Sequence, residues 1–184
     1  MSKSKSNVKV DFVAPILVLT LICLVCSAIL AYTNKVTAPI IEETEASIAA
    51  AARKEVLPEA DDFTEVDVDL DADSFVTAVY KANNGAGYVF MITCNGYGGK
   101  NTMNLICGIG SDGKIVGTKT LSHAETAGLG SKTAEDDFRN QFQGQDSSLS
   151  GVDEISGATF SSRYYMEGIR SAFAAYDKLV SKEG

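Results

Sequence analysis

Phe75-Val-Thr-Ala-Val-Tyr80, Tyr88-Val-Phe-Met-Ile-Thr93, Met103-Asn-Leu-Ile-Cys107 and Lys114-Ile-Val-Gly-Thr-Lys-Thr-Leu121 decide the fold. Each segment is rich in the β-branched and aromatic residues that suit a pleated, half-buried surface. Asn83-Asn-Gly85, Asn95-Gly-Tyr-Gly-Gly99 and Ser111-Asp-Gly113 separate them, and all three are turn sequences, the last carrying an Asp-Gly hairpin signal. A period of two interrupted by short turns predicts a meander of about four antiparallel strands between Ser74 and Ser122. Helical spacing then takes over from Ser161 to Lys182, where Ile169, Phe173, Tyr176 and Val180 recur at three to four residues and Ser161 or Ser162 is placed to cap. The expected class is α+β, an antiparallel sheet flanked by helices.

Upstream of the strands the chain changes character twice. From Glu55 to Asp73 there are nine acidic residues, several alternating with apolar ones in Glu65-Val-Asp-Val-Asp-Leu-Asp-Ala-Asp73. This is an edge strand with a charged face or a loop; the spacing lacks the Gly and terminal Glu of a calcium loop. Before it, Thr37 and Pro39 are helix-start signals, Glu42, Glu43 and Glu45 fill a first turn, and Arg53 and Lys54 sit near the end. Ile41, Ile48, Ala52 and Val56 make one narrow apolar stripe, so this stalk helix is expected to lie on something.

Phe12 to Tyr32 is a run of 21 uncharged residues. At helical rise it is about 31 Å long, the thickness of a hydrocarbon core. Lys3, Lys5 and Lys9 precede it, and the positive-inside rule places that end in the cytoplasm. The run exceeds the apolar region of a secretory signal, and no convincing small-residue cleavage site follows, so a retained single-pass anchor is expected. The chain thus divides into a cytoplasmic N-terminus and transmembrane anchor (1–33), a stalk helix (34–58) and an extracytoplasmic domain (59–184).

Charge and cysteines narrow the function. The 184 residues carry a formal charge of −8, with an isoelectric point near 4.6. Nucleic acid is therefore excluded as an expected partner, because duplex binding needs Lys and Arg to neutralise phosphates. Cys23 and Cys26 have C-x-x-C spacing but lie within the apolar run, where thiols behave as small hydrophobes. Cys94 and Cys107 lie on neighbouring strands or their ends. They either close a disulfide loop of about 14 residues in an oxidising compartment or are buried thiols.

Two glycine-bearing segments carry the chemistry. His123-Ala-Glu-Thr-Ala-Gly-Leu-Gly130 follows the last strand, and Asp153-Glu-Ile-Ser-Gly-Ala-Thr-Phe-Ser-Ser162 precedes the last helix. Ser156, Thr159, Ser161 and Ser162 gather hydroxyls and free backbone N–H groups at a helix N-terminus, which suits an anion such as phosphate or a tight turn with a Ser cap. No Walker-type or dinucleotide-fold glycine loop is present. His123 is the single histidine; no metal or relay set can be built around it, which leaves a loop residue near a ligand or a structural one.

Asp153-Glu-Ile-Ser-Gly-Ala-Thr159 resembles the D-x-x-[ST]-G-A-T flavinylation signature of FMN-binding domains, and His123 to Gly130 resembles the E-T-x-G-x-G segment that accompanies it. With one N-terminal span, the Asn34-Lys-Val-Thr-Ala-Pro39 entry to a stalk and a C-terminal domain of this size, the chain is similar to the G-type members of Rnf electron-transport complexes. The related C-type member of sodium-translocating NADH:quinone oxidoreductase shares both motifs in a longer chain. Ala127 departs from the proline common in the family.

The resemblance implies an FMN joined through its phosphate to the Thr159 hydroxyl by a separate flavin transferase that uses FAD and magnesium. It implies that Gly157 and Ala158 leave room for transferase and phosphate, that Ser156, Ser161 and Ser162 donate to the phosphate oxygens, and that Glu125, Thr126, Gly128 and Leu129 lie against the isoalloxazine or ribityl chain. It further implies an electron-carrying protein, inactive alone, of a membrane complex coupling ferredoxin oxidation and NAD⁺ reduction to Na⁺ or H⁺ movement. Nicotinamide and iron–sulfur steps would fall to partner subunits, since neither fingerprint occurs here. Two other classes compete: a stand-alone extracytoplasmic flavoprotein, and a non-redox module that binds a partner through its acidic face and purifies without a yellow chromophore.

Overall fold

The computed structural model describes residues 8–71 and 73–183. Lys3 and Lys5 of the basic flank lie outside the described residues. The first element, α1 (Val8–Val56), is a single helix of 49 residues with Pro15 and Pro39 inside it. The expectation of separate anchor and stalk helices, with Thr37 starting the second, is corrected here. The Thr37 hydroxyl donates backward to Thr33 O at 3.0 Å, so it does not cap. Proline removes one N–H from the ladder without ending the helix when good helix formers continue on both sides. The apolar side chains from Val13 to Leu30 stand exposed, and this one helix is long and apolar enough to cross a membrane.

By its contacts the chain forms two compact units, residues 1–47 and 48–184. In the second, five strands pair in chain order, all antiparallel: β1 (Phe63–Val66), β2 (Val76–Ala82), β3 (Gly87–Gly96), β4 (Gly99–Gly110) and β5 (Ile115–His123). The four expected strands are β2 to β5. The acidic stretch supplies the short edge strand β1 and then a loop, held by the buried Val68 and by Lys178 Nζ against Asp71 at 2.8 Å. Short turns of 3-10 helix around α2 (Asp136–Arg139) lead to α3 (Thr159–Glu183).

Alternation along β3 and β4 sends Phe90, Ile92, Cys94, Met103, Leu105, Cys107 and Ile109 to one face, where they meet Tyr165, Ile169, Ala172 and Phe173 of α3. The C-terminal part of the helical stripe is shifted by one residue from expectation: Leu179 is buried and Val180 exposed. A spacing of three or four leaves that choice open, and contact with the sheet makes it. Phe138, Phe142 and Tyr165 form an aromatic cluster with ring centroids 5.1 to 5.4 Å apart. The Tyr165 hydroxyl, fully buried, bonds Thr118 Oγ1 at 3.1 Å.

The other face of the sheet is covered by the last turns of α1. Ala52, Val56 and Leu57 pack with Ala82, Val89 and Ile106, and the Arg53 guanidinium lies 4.2 Å from the centre of the Tyr80 ring. Ile41 and Ile48 of the expected stripe are exposed, so only its C-terminal half is used. A β-carbon at Gly108 would lie 2.4 Å from Val56 O, which is why the sheet carries no side chain there.

The disulfide alternative for Cys94 and Cys107 is not realised. Cys94 pairs with Met103 and Cys107 with Phe90, four rungs apart on the ladder, and both thiols are free. Four residues of strand separate them by about 13 Å, beyond disulfide reach. Both are fully buried, and burial pushes the Cys94 thiol up to about 12 and raises Cys107 as well. We expect neither to react with N-ethylmaleimide in the folded protein at neutral pH. Both should be captured by a second alkylating reagent after denaturation, as read by peptide mass spectrometry; a cross-linked peptide or first-reagent labelling would contradict this.

Candidate functional site

Three segments far apart in sequence meet at one end of the sheet: the β3–β4 hairpin at Gly96 and Tyr97, the loop from Ala124 to Thr133, and the turn that enters α3. Glu125 joins all three. Its Oε1 accepts the Tyr97 backbone N–H at 2.9 Å, and its Oε2 accepts the Ser161 hydroxyl proton. Gly96 and Gly130 lie against this carboxylate, and a β-carbon at Gly130 would fall 2.1 Å from Oε2. His123 closes β5, and its Nδ1 accepts the Glu125 N–H at 3.3 Å, which is the supporting role left to it. The Thr126 carbonyl accepts Leu129 N–H and Ser131 N–H, and Gly128 donates to Ser131 Oγ, so the loop is a closed turn.

The second motif is a turn feeding a helix. The Ala158 N–H donates to Ile155 O at 2.9 Å, and Gly157, at φ 82°, supplies the left-handed residue the turn needs. Helix α3 starts at Thr159, two residues before the expected cap. Ser162 accounts for the shift. It is fully buried, its oxygen accepts Ile155 N–H at 3.1 Å, and its own proton goes to Ala158 O at 3.0 Å. Its single O–H is thus engaged within the turn. Ser161 also gives its proton away, to Glu125.

Thr159 differs from both serines. It is half-buried at the helix start, and its hydroxyl has no hydrogen-bond partner among the described residues. The N–H groups of Thr159, Phe160 and Ser161 open the helix and have no carbonyl partner among the described residues, which makes the surroundings of that hydroxyl favourable to negative charge.

A cleft of about 360 Å³ opens at this point, lined by Glu125, Thr126, Leu129, Ala158, Thr159 and Ser161 among others. Gly157 lines it too, whereas Gly128 and Ser156 do not; Gly128 shapes the loop and Ser156 sits exposed in the turn. Sequence reasoning missed Tyr97, Gly130 and Phe160 on the wall. Phe160 had one available signal: it is an apolar residue off the helix stripe, and it is 63% exposed. A free hydroxyl, unpaired N–H groups and an apolar-walled cleft together fit the phosphate of a flavin mononucleotide and the chain that leads from it.

Residues 96–174 match the FMN-binding domain family. The whole chain is 34% identical to the G component of an ion-translocating oxidoreductase complex of Methanosarcina acetivorans, with 100% of both chains covered. It is 27% identical to the G component of a proton-translocating ferredoxin:NAD(+) oxidoreductase complex of Clostridium ljungdahlii, over 84% of this chain and 85% of that one. It is 28% identical to its counterpart in the Na(+)-translocating complex of Acetobacterium woodii, over 96% and 99%.

Proposed function

Since the chain belongs to the family of G components of ion-translocating, Rnf-type oxidoreductase complexes, we propose that it carries FMN esterified to Thr159 and relays electrons between partner subunits of such a complex. The observation that carries this reading is the Thr159 hydroxyl: the serines beside it on α3 have committed their protons, and Thr159 alone among them keeps an unbonded oxygen at the cleft. The unpaired N–H groups of Thr159 to Ser161 receive the phosphate, while Thr126, Leu129 and Ala158 bound the space beside it. The bound flavin supplies the redox chemistry, accepting electrons singly or in pairs; the chain holds it in place and bounds its pocket. A separate flavin transferase, drawing on FAD and magnesium, installs it. The ester keeps the cofactor at fixed effective concentration on a domain that faces an open volume.

Peptide mass spectrometry of the membrane-extracted protein, expressed with a flavin transferase, tests this. One FMN less one water should appear on the peptide containing Thr159. A flavin that dissociates on denaturation, or mass on another residue, defeats the assignment.

In this reading the flavin domain lies outside the cytoplasm, with residues 1–33 as N-terminus and span, 34–58 as stalk and 59–184 as the flavin-bearing part. The support for it is the basic flank ahead of the uncharged run. Ferredoxin and NAD⁺ chemistry then belongs to partner subunits, in complexes of the kind the relatives' names describe. A cysteine introduced at Ser4 should resist an impermeant thiol reagent in intact cells, and one at Ser148 should react; reversed labelling would overturn the topology.

A further inference from the structure

A second cleft, of about 400 Å³, lies beside the first and has Tyr97 and Phe160 in common with it; its other walls include Asn95, Lys100 and Tyr164. Tyr97 is 72% and Phe160 63% exposed, so two aromatic faces stand in solvent at the border between the clefts. Phe160 follows Thr159 directly, and Tyr97 is held by its backbone bond to Glu125. Exposed aromatic faces on a rigid support, next to an anchoring point, fit a flat aromatic ligand.

The clefts differ in charge. The one at Thr159 contains the Glu125 carboxylate, whereas the second has Lys100 on its rim. Lys100 is exposed and makes no ion pair among the described residues. We propose that the second cleft seats the isoalloxazine ring of a Thr159-bound FMN, with the ring against Tyr97 and Phe160 and its pyrimidine edge toward Lys100. The first cleft then holds phosphate and ribityl chain. The pyrimidine half of a flavin gains negative charge on reduction, which an ammonium nearby favours and a carboxylate opposes. Lys100 thus raises the flavin's midpoint potential directly, through its charge.

The proposal rests on the assignment of FMN to Thr159, and the experiment separates the two. The full-length chain, loaded by a flavin transferase, is compared with its Lys100→Gln, Lys100→Arg and Tyr97→Leu variants; a flavin band on a denaturing gel first reports attachment. With attachment intact, Lys100→Gln should shift the midpoint potential to a more negative value, and Lys100→Arg should restore it. Tyr97→Leu should raise emission per bound flavin, because contact with a tyrosine ring quenches flavin fluorescence, and the gain should vanish when both proteins are denatured. Loaded variants with unchanged potential and unchanged emission would overturn this seat and leave Thr159 standing. Wild-type protein without a gel-stable band would overturn both.

Discussion

Thr159→Ala is expected to abolish the flavin band that survives denaturing electrophoresis, leaving folding and membrane insertion intact. The substitution removes the hydroxyl oxygen to which the ester is assigned. It costs the domain little, because the hydroxyl makes no hydrogen bond among the described residues and alanine is the better helix former. Thr159→Ser keeps a nucleophilic oxygen and should retain partial modification. Ser162→Ala works in the opposite sense: it takes a buried hydroxyl away from Ile155 N–H, so it should lower stability by about 1–3 kcal/mol without removing the ester oxygen. In-gel fluorescence beside a thermal melt reads both effects. Undiminished fluorescence in Thr159→Ala would end the assignment.

Phe142→Ala should produce the largest loss of stability. Its ring is fully buried, 5.1 Å from Tyr165 and 5.3 Å from Phe138. Removing a buried phenyl group costs about 3–5 kcal/mol, and a domain of this size should lose on the order of 10 °C in melting temperature. Tyr165→Phe keeps the ring and loses only the bond to Thr118, for about 1 kcal/mol. Calorimetry or circular dichroism decides; equal losses in the two variants would mean that packing in this cluster is not what holds the α2 segment to the sheet.

The strands were legible because their period of two and their Asn-Gly and Asp-Gly breaks are local signals. Their ends were not. β4 runs from Gly99 to Gly110 because the ladder with β3 continues past the apolar core of the segment, a matter of pairing rather than of propensity. The start of α3 was misjudged for a related reason: Ser161 and Ser162 have cap-forming side chains, yet both hydroxyls are claimed by partners many residues or one turn away. Both motif loops were visible as motifs, and the fold brings them into one cleft. Tyr97 and Lys100 escaped notice because a hairpin tip is assigned to a site only by strand register, which a single sequence leaves free. The pairing of Cys94 with Met103 and of Cys107 with Phe90 is the same kind of information.

The seating of Val56 over Gly108 has a consequence for where this chain can be cut. A flavin-bearing part counted from residue 59 leaves out residues 48–58, which belong to the same compact unit. A fragment starting at 59 would discard Ala52, Val56 and Leu57 and strip the covered side of the sheet, leaving Ala82, Val89 and Ile106 in water. Such a fragment would carry a sticky apolar sheet and self-associate. A soluble version that begins at or before Ile48 keeps its lid of helix, and with it the Arg53 guanidinium over Tyr80 and the Glu55 partner of Lys119.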